Sequence, residues 1–233
     1  MTFEIGQVEA IYRYPVKSMR GELLDAAALG WLGVEGDRRF AFRRLGDRSG
    51  FPWLTAGKFT DLVRFTPQLP SHVLTPEGQE MELFGEALAA EVGRRCGISV
   101  EMMQFKNGIF DDASMSVITS DTVREIGRLA AKTVDVRRFR PNIVVRSARA
   151  VPFEEDDWIG GMLTFGDGAA TPAVTVMMPD ARCAMINIDP DDGSLSPELL
   201  KAVVHANQKN AGVYSTVTRI GRLAVGQPIF LHR

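Results

Sequence analysis

The chain has 233 residues and a formal net charge of −2, and 45% of its residues are hydrophobic and 24% charged. This length can hold one large domain or two small ones with a hydrophobic core. There is no basic excess that would attract nucleic acid, and no apolar run is long enough to span a bilayer. Residues 1–5 lack a basic region followed by an apolar stretch, so we predict no secretory signal and a cytoplasmic location.

The first half of the chain is predicted to be rich in strands. Loose alternation of apolar residues predicts strands over residues 6–14, 23–29 and 38–45, and a strand with a following turn over residues 73–80. In residues 84–96, Leu88, Val92 and Cys96 recur at helical spacing. We expect a helix there that ends at Gly97 and carries Cys96 on its buried face.

The second half begins near Gly108 and again has more strands than helices. Strands are predicted over residues 116–119, 142–145, 162–165, 173–177, 213–220 and 228–231. One helix is predicted over residues 122–131, capped by Ser120 and Asp121, and another over residues 198–207, opened by a proline. Many short strands with few helices favour a barrel or sandwich over a doubly wound sheet. We therefore predict a mainly β fold with appended helices.

The loop of residues 14–21 is the first candidate functional segment, framed by Pro15 and Gly21. It offers the ammonium of Lys17, the hydroxyl of Ser18 and backbone N–H groups, a set that suits an anion such as phosphate. A solvated turn between strands is the alternative, and the residue types alone favour it.

Arginines mark the next two segments. Arg38 and Arg39 stand at the start of a predicted strand, where alternation points them to opposite faces, and an inward arginine would need an anion. Residues 137–142 carry three arginines in four positions before Pro141. Arginine forks bind phosphate and carboxylate well, although charge-rich loops are commonly just solvated.

Cys183 follows Arg182, and a neighbouring cation favours the thiolate form of a cysteine. A thiolate can be a nucleophile, a redox centre or a soft metal ligand, and a buried structural thiol is the alternative. The chain has only two cysteines and three histidines without ligand spacing, so no four-ligand zinc site is expected. A disulfide between Cys96 and Cys183 is the less favoured reading in a reducing compartment.

The acidic residues 189–193 lack the spaced ligands of an EF-hand and predict a tight turn. Three donor segments and one cysteine together point to an anionic, phosphate-bearing cofactor whose soft centre takes a thiolate.

These segments together resemble the MOSC domain family, in the branch that has an N-terminal β-barrel subdomain and includes the mitochondrial amidoxime reducing components. The similarity lies in residues 11–18, 36–38, 134–145, 182–193 and 210–214. The resemblance implies a MOSC-type β-barrel core with an N-terminal β-rich subdomain. It further implies domains over residues 1–105 and 106–233 that pack as one unit.

The resemblance also implies a molybdenum cofactor, a pterin with a phosphate and a dithiolene that holds the metal. By this likeness Cys183 is the metal ligand and the catalytic residue. The residues implied to bind the rest of the cofactor are Lys17, Ser18, Arg38, Ser114, Arg140, Asn142 and Arg182. Ala181 departs from relatives that carry a hydroxyl residue there, and residues 111–116 match the family pattern loosely. The family is also associated with binding of pyridoxal phosphate.

The implied activity is reduction of N-oxygenated small molecules. The electrons would come from a separate protein of the ferredoxin, flavin reductase or cytochrome b5 type, because no cysteine-rich ferredoxin module follows the last motif. Asp111 and Asp112 are candidate proton donors by location alone. The alternative function is a non-catalytic carrier of the cofactor or of persulfide sulfur on Cys183.

Overall fold

A closed sheet of seven strands forms the centre of the protein in the computed structural model, which describes residues 1–233. The strands are β1 Thr2–Arg13, β2 Glu22–Leu24, β3 Ala26–Gly30, β4 Gly33–Val34, β5 Phe40–Arg44, β6 Thr66–Gln68, β7 His72–Leu74, β8 Glu80–Glu82, β9 Val100–Gln104, β10 Met115–Thr119, β11 Ile143–Ser147, β12 Met162–Phe165, β13 Ala173–Ala181, β14 Asn210–Arg219, β15 Gly221–Ala224 and β16 Pro228–His232. The α-helices are α1 Glu86–Cys96, α2 Ser120–Leu129 and α3 Glu198–Asn207. None of these helices has the length and apolar character needed to cross a membrane.

The strands of the barrel follow one another in the order β11, β10, β14, β13, β12, β16 and β1. Strand β2 pairs with the C-terminal end of β1 and is not one of the seven. Pairing of β1 with β11 closes it, with Ile11 opposite Ile143. Inward-facing apolar residues such as Val8 and Val145 fill the interior, as the alternation of side chains along a strand requires. The predicted mainly β fold with a barrel core and appended helices is confirmed.

A second core lies beside the barrel, where β5 pairs with β9 and packs against α1. Phe42 and Leu88 are fully buried in it. Strand β1 belongs to the barrel and β5 belongs to this second core, so the N-terminal half of the chain contributes to both. The boundary at residue 105 stays a prediction.

Helices α2 and α3 cover one side of the barrel wall, with Ile126 and Val203 buried against Ile118. The predicted cap of α2 is wrong by one residue. Thr119 is the cap, because it keeps the extended backbone of β10 and its Oγ1 accepts a hydrogen bond of 3.1 Å from the N–H of Thr122.

Two expectations about single residues are qualified by the structure. Cys96 lies on the face of α1 that packs against the second core, as predicted, but it is only partly buried, and its Sγ is directed at the carbonyls of Gly93 and Ile98. Arg38 precedes β5 and has a left-handed backbone with φ 49°. Strand alternation therefore does not decide where Arg38 points. Both cysteines are free thiols.

Candidate functional site

One cavity of about 480 Å³ collects six of the predicted site residues, and its size is typical of a small-molecule or cofactor site. The six residues are Lys17, Ser18, Arg38, Arg140, Arg182 and Cys183. They come from four separate segments: the loop after β1, the turn before β5, the turn before β11 and the end of β13. Closure of the barrel brings these segments together.

The loop after β1 contains a tight turn in which the N–H of Met19 donates to the carbonyl of Val16, at 3.2 Å. The turn holds Ser18 at φ 66°. Lys17 is buried, and its Nζ donates to Oδ1 of Asp111 at 2.7 Å. Burial opposes the charge on Asp111, but the Lys17 ammonium outweighs it and lowers the pKa of this carboxyl. Asp111 is therefore ionised near neutral pH and is a poor proton donor.

Arg38 is held by groups behind the cavity wall. Its guanidinium pairs with Asp37, which is fully buried and also accepts a hydrogen bond of 2.6 Å from the N–H of Tyr14. Nη2 of Arg38 donates to the carbonyl of Arg140 at 3.0 Å. Burial works to lower the pKa of Arg38, but the Asp37 carboxylate raises it above its usual value. Arg38 is thus a fixed cation.

Arg140 has no carboxylate partner. Nη1 donates to the carbonyl of Met19 at 2.7 Å, and Nη2 is buried without a hydrogen-bond partner. Burial lowers the pKa of Arg140 to about 10, so the side chain is still charged at neutral pH. A cation with a free donor on a cavity wall is suited to an anionic ligand.

Arg182 directly follows β13, and its side chain is buried. Nε donates to the carbonyl of Ala211 at 2.6 Å, and Nη1 donates to the carbonyl of Phe139 at 2.7 Å. Nη2 lies 2.7 Å from Oδ2 of Asp180, as an ion pair whose angles do not make a hydrogen bond. None of these contacts is with Cys183, so the guanidinium does not pair directly with the thiol as the sequence suggested.

Cys183 follows the end of β13 and precedes the 3₁₀ turn Ala184–Asn187. Its backbone is extended, and the residue is exposed and lines the cavity. A thiol in this position is accessible to a ligand or to a small molecule. The predicted turn at residues 189–193 lies beyond the 3₁₀ turn, where the N–H of Gly193 donates to the carbonyl of Asp189 at 3.0 Å.

Two predicted residues do not line the cavity. Asn142 is fully buried, and its Oδ1 accepts hydrogen bonds from the N–H of Ser116 at 3.1 Å and from Nη1 of Arg38 at 3.4 Å. Asn142 therefore acts on the cavity through Arg38. Ser114 precedes β10, and its carbonyl lies against Gly33. A role of Ser114 in cofactor binding stays a prediction.

The cavity also contains residues that the sequence did not single out. Oγ of Ser116 donates to Oδ2 of Asp180 at 2.7 Å, and Ser116 lies opposite Tyr214 in the pairing of β10 with β14. Burial raises the pKa values of Asp180 and Tyr214. Arg138, which belongs to the predicted arginine segment 137–142, also lines the cavity and forms an ion pair with Asp189 at 2.5 Å. Only the strand register reveals that Ser116 and Tyr214 are neighbours.

Comparison with known proteins gives matches over almost the whole chain. The family model of the MOSC domain matches residues 104–230, and that of the MOSC N-terminal beta barrel domain matches residues 5–121. Mitochondrial amidoxime reducing component 2 of Bos taurus is 25% identical over 97% of this chain and 83% of its own length. The protein of the same name from Rattus norvegicus is 29% identical over 52% of this chain and 37% of its own length.

Among solved structures, the YuaD protein of Bacillus subtilis aligns over 100% of this chain and 97% of its own, with a TM-score of 0.56 and 15% sequence identity. At that identity the likeness concerns the fold alone. The two family models together cover residues 5–230 and show that the chain belongs to the MOSC domain family, with the N-terminal beta barrel domain of that family preceding the MOSC domain.

Proposed function

We propose that this protein is a molybdenum-cofactor-dependent oxidoreductase that reduces N-hydroxylated or other N-oxygenated small molecules. The observation that carries the proposal is the position of Cys183, an exposed thiol in a cavity whose charged lining is mainly cationic. Thiolates bind soft metals and cations bind phosphate, so one cavity offers both halves of a site for a metal-bearing, phosphorylated cofactor. The names of the amidoxime reducing components agree with this substrate class.

The donors of the cavity fit such a group. Five cationic and three acidic side chains line the cavity, namely Lys17, Arg38, Arg138, Arg140, Arg182, Asp111, Asp112 and Asp180. Nη2 of Arg140 is buried without a hydrogen-bond partner and without an ion pair. A buried donor without an acceptor costs about 1–3 kcal/mol, and acceptor oxygens of a phosphate or pterin would remove that cost.

Each residue then has a separate task. Lys17, Ser18 and Arg38 would hold the phosphate and the pterin, and Asn142 would keep Arg38 in place. Arg140 and Arg182 would donate further hydrogen bonds, while Sγ of Cys183 would bind the metal. When bound, the cofactor would supply the two-electron redox chemistry, and the protein would supply orientation and a pocket.

Reduction of an N–OH group to N–H breaks the N–O bond, consumes two electrons and two protons, and releases water. The electrons would come from a separate donor protein of the ferredoxin, flavin reductase or cytochrome b5 type. Tyr214 lines the cavity, and its hydroxyl group is protonated at neutral pH, since burial raises further a pKa whose ordinary value is 10. Tyr214 is therefore better suited than ionised Asp111 to donate a hydrogen bond to the departing oxygen. We retain the cytoplasmic location as part of the proposal.

Metal analysis of protein made in a host that produces the cofactor tests the proposed ligand. Wild type should contain about one molybdenum per chain, and Cys183→Ala should lose most of it. Loss of a group that only supports a metal ligand already costs about 10- to 100-fold in metal affinity, and loss of the ligand itself should cost at least as much. Cys96→Ala removes the other free thiol and should retain the metal. Equal molybdenum in the Cys183→Ala variant and wild type would refute ligation by Cys183.

Turnover is tested separately with an amidoxime or a hydroxylamine and an artificial electron donor. Molybdenum-loaded wild type should release the corresponding amidine or amine. If loaded protein reduces none of several such compounds, the enzymatic part of the proposal fails and cofactor binding alone remains.

The exposure of Cys183 also favours a second function, a carrier of cofactor or of sulfur. A persulfide carrier needs an accessible thiol and no metal. Incubation of metal-free protein with a sulfane-sulfur donor, such as a low-molecular-weight persulfide, would then transfer one sulfur atom to the thiolate and release the thiol of the donor. Intact-protein mass spectrometry should show this addition in wild type and in Cys96→Ala, but not in Cys183→Ala.

A further inference from the structure

An aromatic surface lies at the rim of the cavity and is formed by Phe51, Trp53 and Phe105. Phe51 lines the cavity and is 47% exposed. The rings of Trp53 and Phe105 meet edge to face with their centres 5.1 Å apart, and both residues are partly exposed. Aromatic side chains that stand together at a surface are enriched where one protein docks on another.

Arg44 holds this aromatic surface in a fixed shape. Its Nη2 donates to the carbonyl of Phe51 at 2.8 Å, and its Nε donates to the carbonyl of Trp53 at 3.3 Å. The backbone N–H of Arg44 donates to the carbonyl of Pro52 at 2.8 Å. Three hydrogen bonds from one residue therefore fix the backbone that presents Phe51 and Trp53. A preformed surface loses little conformational entropy when a partner binds.

Four cations that form no ion pair adjoin the aromatic surface, namely Arg39, Arg48, Lys58 and Lys106. The guanidinium of Arg39 donates to the carbonyl of Lys106, and the N–H of Phe105 donates to the carbonyl of Arg39 at 2.8 Å. Arg48 precedes Phe51 by three residues in the chain. Lys58 directly follows Gly57, which belongs to the cavity lining.

The carboxylates near these cations are mostly neutralised. Asp47, Glu101 and Asp111 each form an ion pair, and only Asp112 does not. This side of the protein therefore presents four unpaired positive charges against one negative charge, although the whole chain has a net charge of −2. Such an excess attracts an acidic partner and repels the same surface of a second copy of this chain.

We propose that this surface docks an acidic redox protein that delivers electrons to the cavity. We call it the docking face and define it by Phe51, Trp53, Phe105, Arg39, Arg48, Lys58 and Lys106. The inference rests on the proposed function in taking the electron donor to be a separate protein. Electron transfer weakens steeply with distance, so the donor has to bring its redox group close to Cys183, and Phe51 lines the same cavity as Cys183. A one-electron donor would dock twice per turnover, because reduction of one N–OH group consumes two electrons.

Calorimetric titration of metal-free, full-length protein with an acidic plant-type ferredoxin in its oxidised form tests the inference without turnover. Wild type should bind this ferredoxin at an ionic strength of about 20 mM, and at about 300 mM binding should be weaker by about tenfold or more. Lys106→Glu should weaken binding about fivefold at the lower ionic strength, and the double variant Lys58→Glu/Lys106→Glu should weaken it further. At about 300 mM the variants and wild type should agree within about twofold, because salt screens the charges.

Arg222→Glu is the matched control, because it changes the net charge by the same amount at another place. Arg222 is an exposed arginine of β15 that forms no ion pair and does not line the cavity. Its substitution should leave the ferredoxin affinity within about twofold of wild type. Cations beside aromatic rings also bind single-stranded nucleic acid, so an oligonucleotide of about 15 thymidines is the second probe and should bind more weakly than the ferredoxin.

The inference fails if wild type does not bind the ferredoxin, if Arg222→Glu weakens binding as much as Lys106→Glu, or if the oligonucleotide binds more tightly than the ferredoxin. Turnover distinguishes this failure from a failure of the proposed function. Molybdenum-loaded Lys106→Glu should reduce an amidoxime at the wild-type rate with dithionite as the electron donor, but with a lower kcat/KM for reduced ferredoxin. Turnover with dithionite in a protein that does not bind ferredoxin would overturn the docking face alone. Ferredoxin binding that depends on Lys106, without turnover by any donor, would support the docking face and overturn the proposed activity.

Discussion

The guanidinium carbon of Arg140 lies 4.1 Å from the centre of the Tyr14 ring. Arg38 approaches the same ring at 5.2 Å, so one aromatic side chain supports two cations of the cavity. Attraction between a cation and a ring is worth about 0.5–2 kcal/mol, which offsets part of the repulsion between the two arginines. Tyr14 is fully buried and therefore works as a rigid platform for the cationic wall.

Two substitutions of Tyr14 distinguish the contribution of the ring to stability from the contribution of the hydroxyl group. The hydroxyl is buried without a hydrogen-bond partner. Tyr14→Phe should therefore keep the free energy of unfolding within about 1 kcal/mol of wild type or raise it. Tyr14→Leu removes the ring and should lower the free energy of unfolding by about 2–4 kcal/mol. Urea denaturation measures both, and equal losses in the two variants would show that the hydroxyl has a stabilising partner.

Gly212 makes room for Arg182. A Cβ at this position would lie 2.7 Å from the carbonyl oxygen of Val117 and 2.9 Å from Nη2 of Arg182, at φ +83°. Gly226 has φ +84° and no atom within 4 Å of its Cβ position, so Gly226→Ala tests backbone strain alone. Gly212→Ala should cost about 1–3 kcal/mol more in free energy of unfolding than Gly226→Ala, and it should also weaken phosphate binding. Equal costs would mean that both the Val117 carbonyl and the Arg182 side chain move aside freely.

Ser18 occupies a left-handed backbone conformation that glycine adopts more readily, with φ 66°. Ser18→Gly and Ser18→Ala both remove the hydroxyl, but only glycine relieves the strain. We expect Ser18→Gly to be about 1 kcal/mol more stable than Ser18→Ala in urea denaturation. Both variants should bind phosphate more weakly than wild type. Unchanged phosphate affinity in both would remove the Ser18 hydroxyl from the anion site.

The stability of the protein should depend on pH through Glu154. This residue is buried in the 3₁₀ turn that connects β11 to β12 along the chain. Burial raises the pKa of its carboxyl from 4.5 to about 7. Between these two values the folded chain binds a proton that the unfolded chain lacks, so the contribution of Glu154 to stability falls as the pH rises through this window.

Glu154→Gln should therefore gain free energy of unfolding relative to wild type at pH 8, on the order of 1 kcal/mol, and little at pH 4.5. Chemical denaturation at the two pH values measures the difference. Asp157→Asn, at an exposed neighbouring carboxylate, is the control. A gain that is the same at both pH values would contradict the assignment.

Sequence patterns predict those strands and helices that pair with elements nearby in the sequence or that have a strong periodicity of apolar residues. The bounds of β12 and α3 agree with the prediction to the residue. The single strand predicted over residues 23–29 is two strands, because the chain changes partner at Asp25: β2 pairs with β1, and β3 pairs with β15. Strand β9 was not predicted, since its partner β5 lies far away in the sequence and only that pairing defines it.

For the cavity, residue types predicted the chemistry and the family resemblance predicted which segments meet. The orientation of the Asn142 side chain could not be predicted from the sequence. Its amide oxygen accepts a hydrogen bond from the N–H of Ser116, and this tertiary contact turns the side chain away from the cavity. The pairing of Asp180 with Arg182 and Ser116 likewise depends on the register of neighbouring strands.

Closure of the barrel has a consequence for the order of events during synthesis. Strand β1 leaves the ribosome first, yet it pairs Ile11 with Ile143 and Phe3 with Leu231. The loop that carries Lys17 and Ser18 directly follows β1, so it reaches its final position only after β11 has been synthesised. The barrel is complete only after the synthesis of β16. Pairings between such distant residues form slowly. Capture of a ligand by the completed cavity therefore has to follow the synthesis of β16.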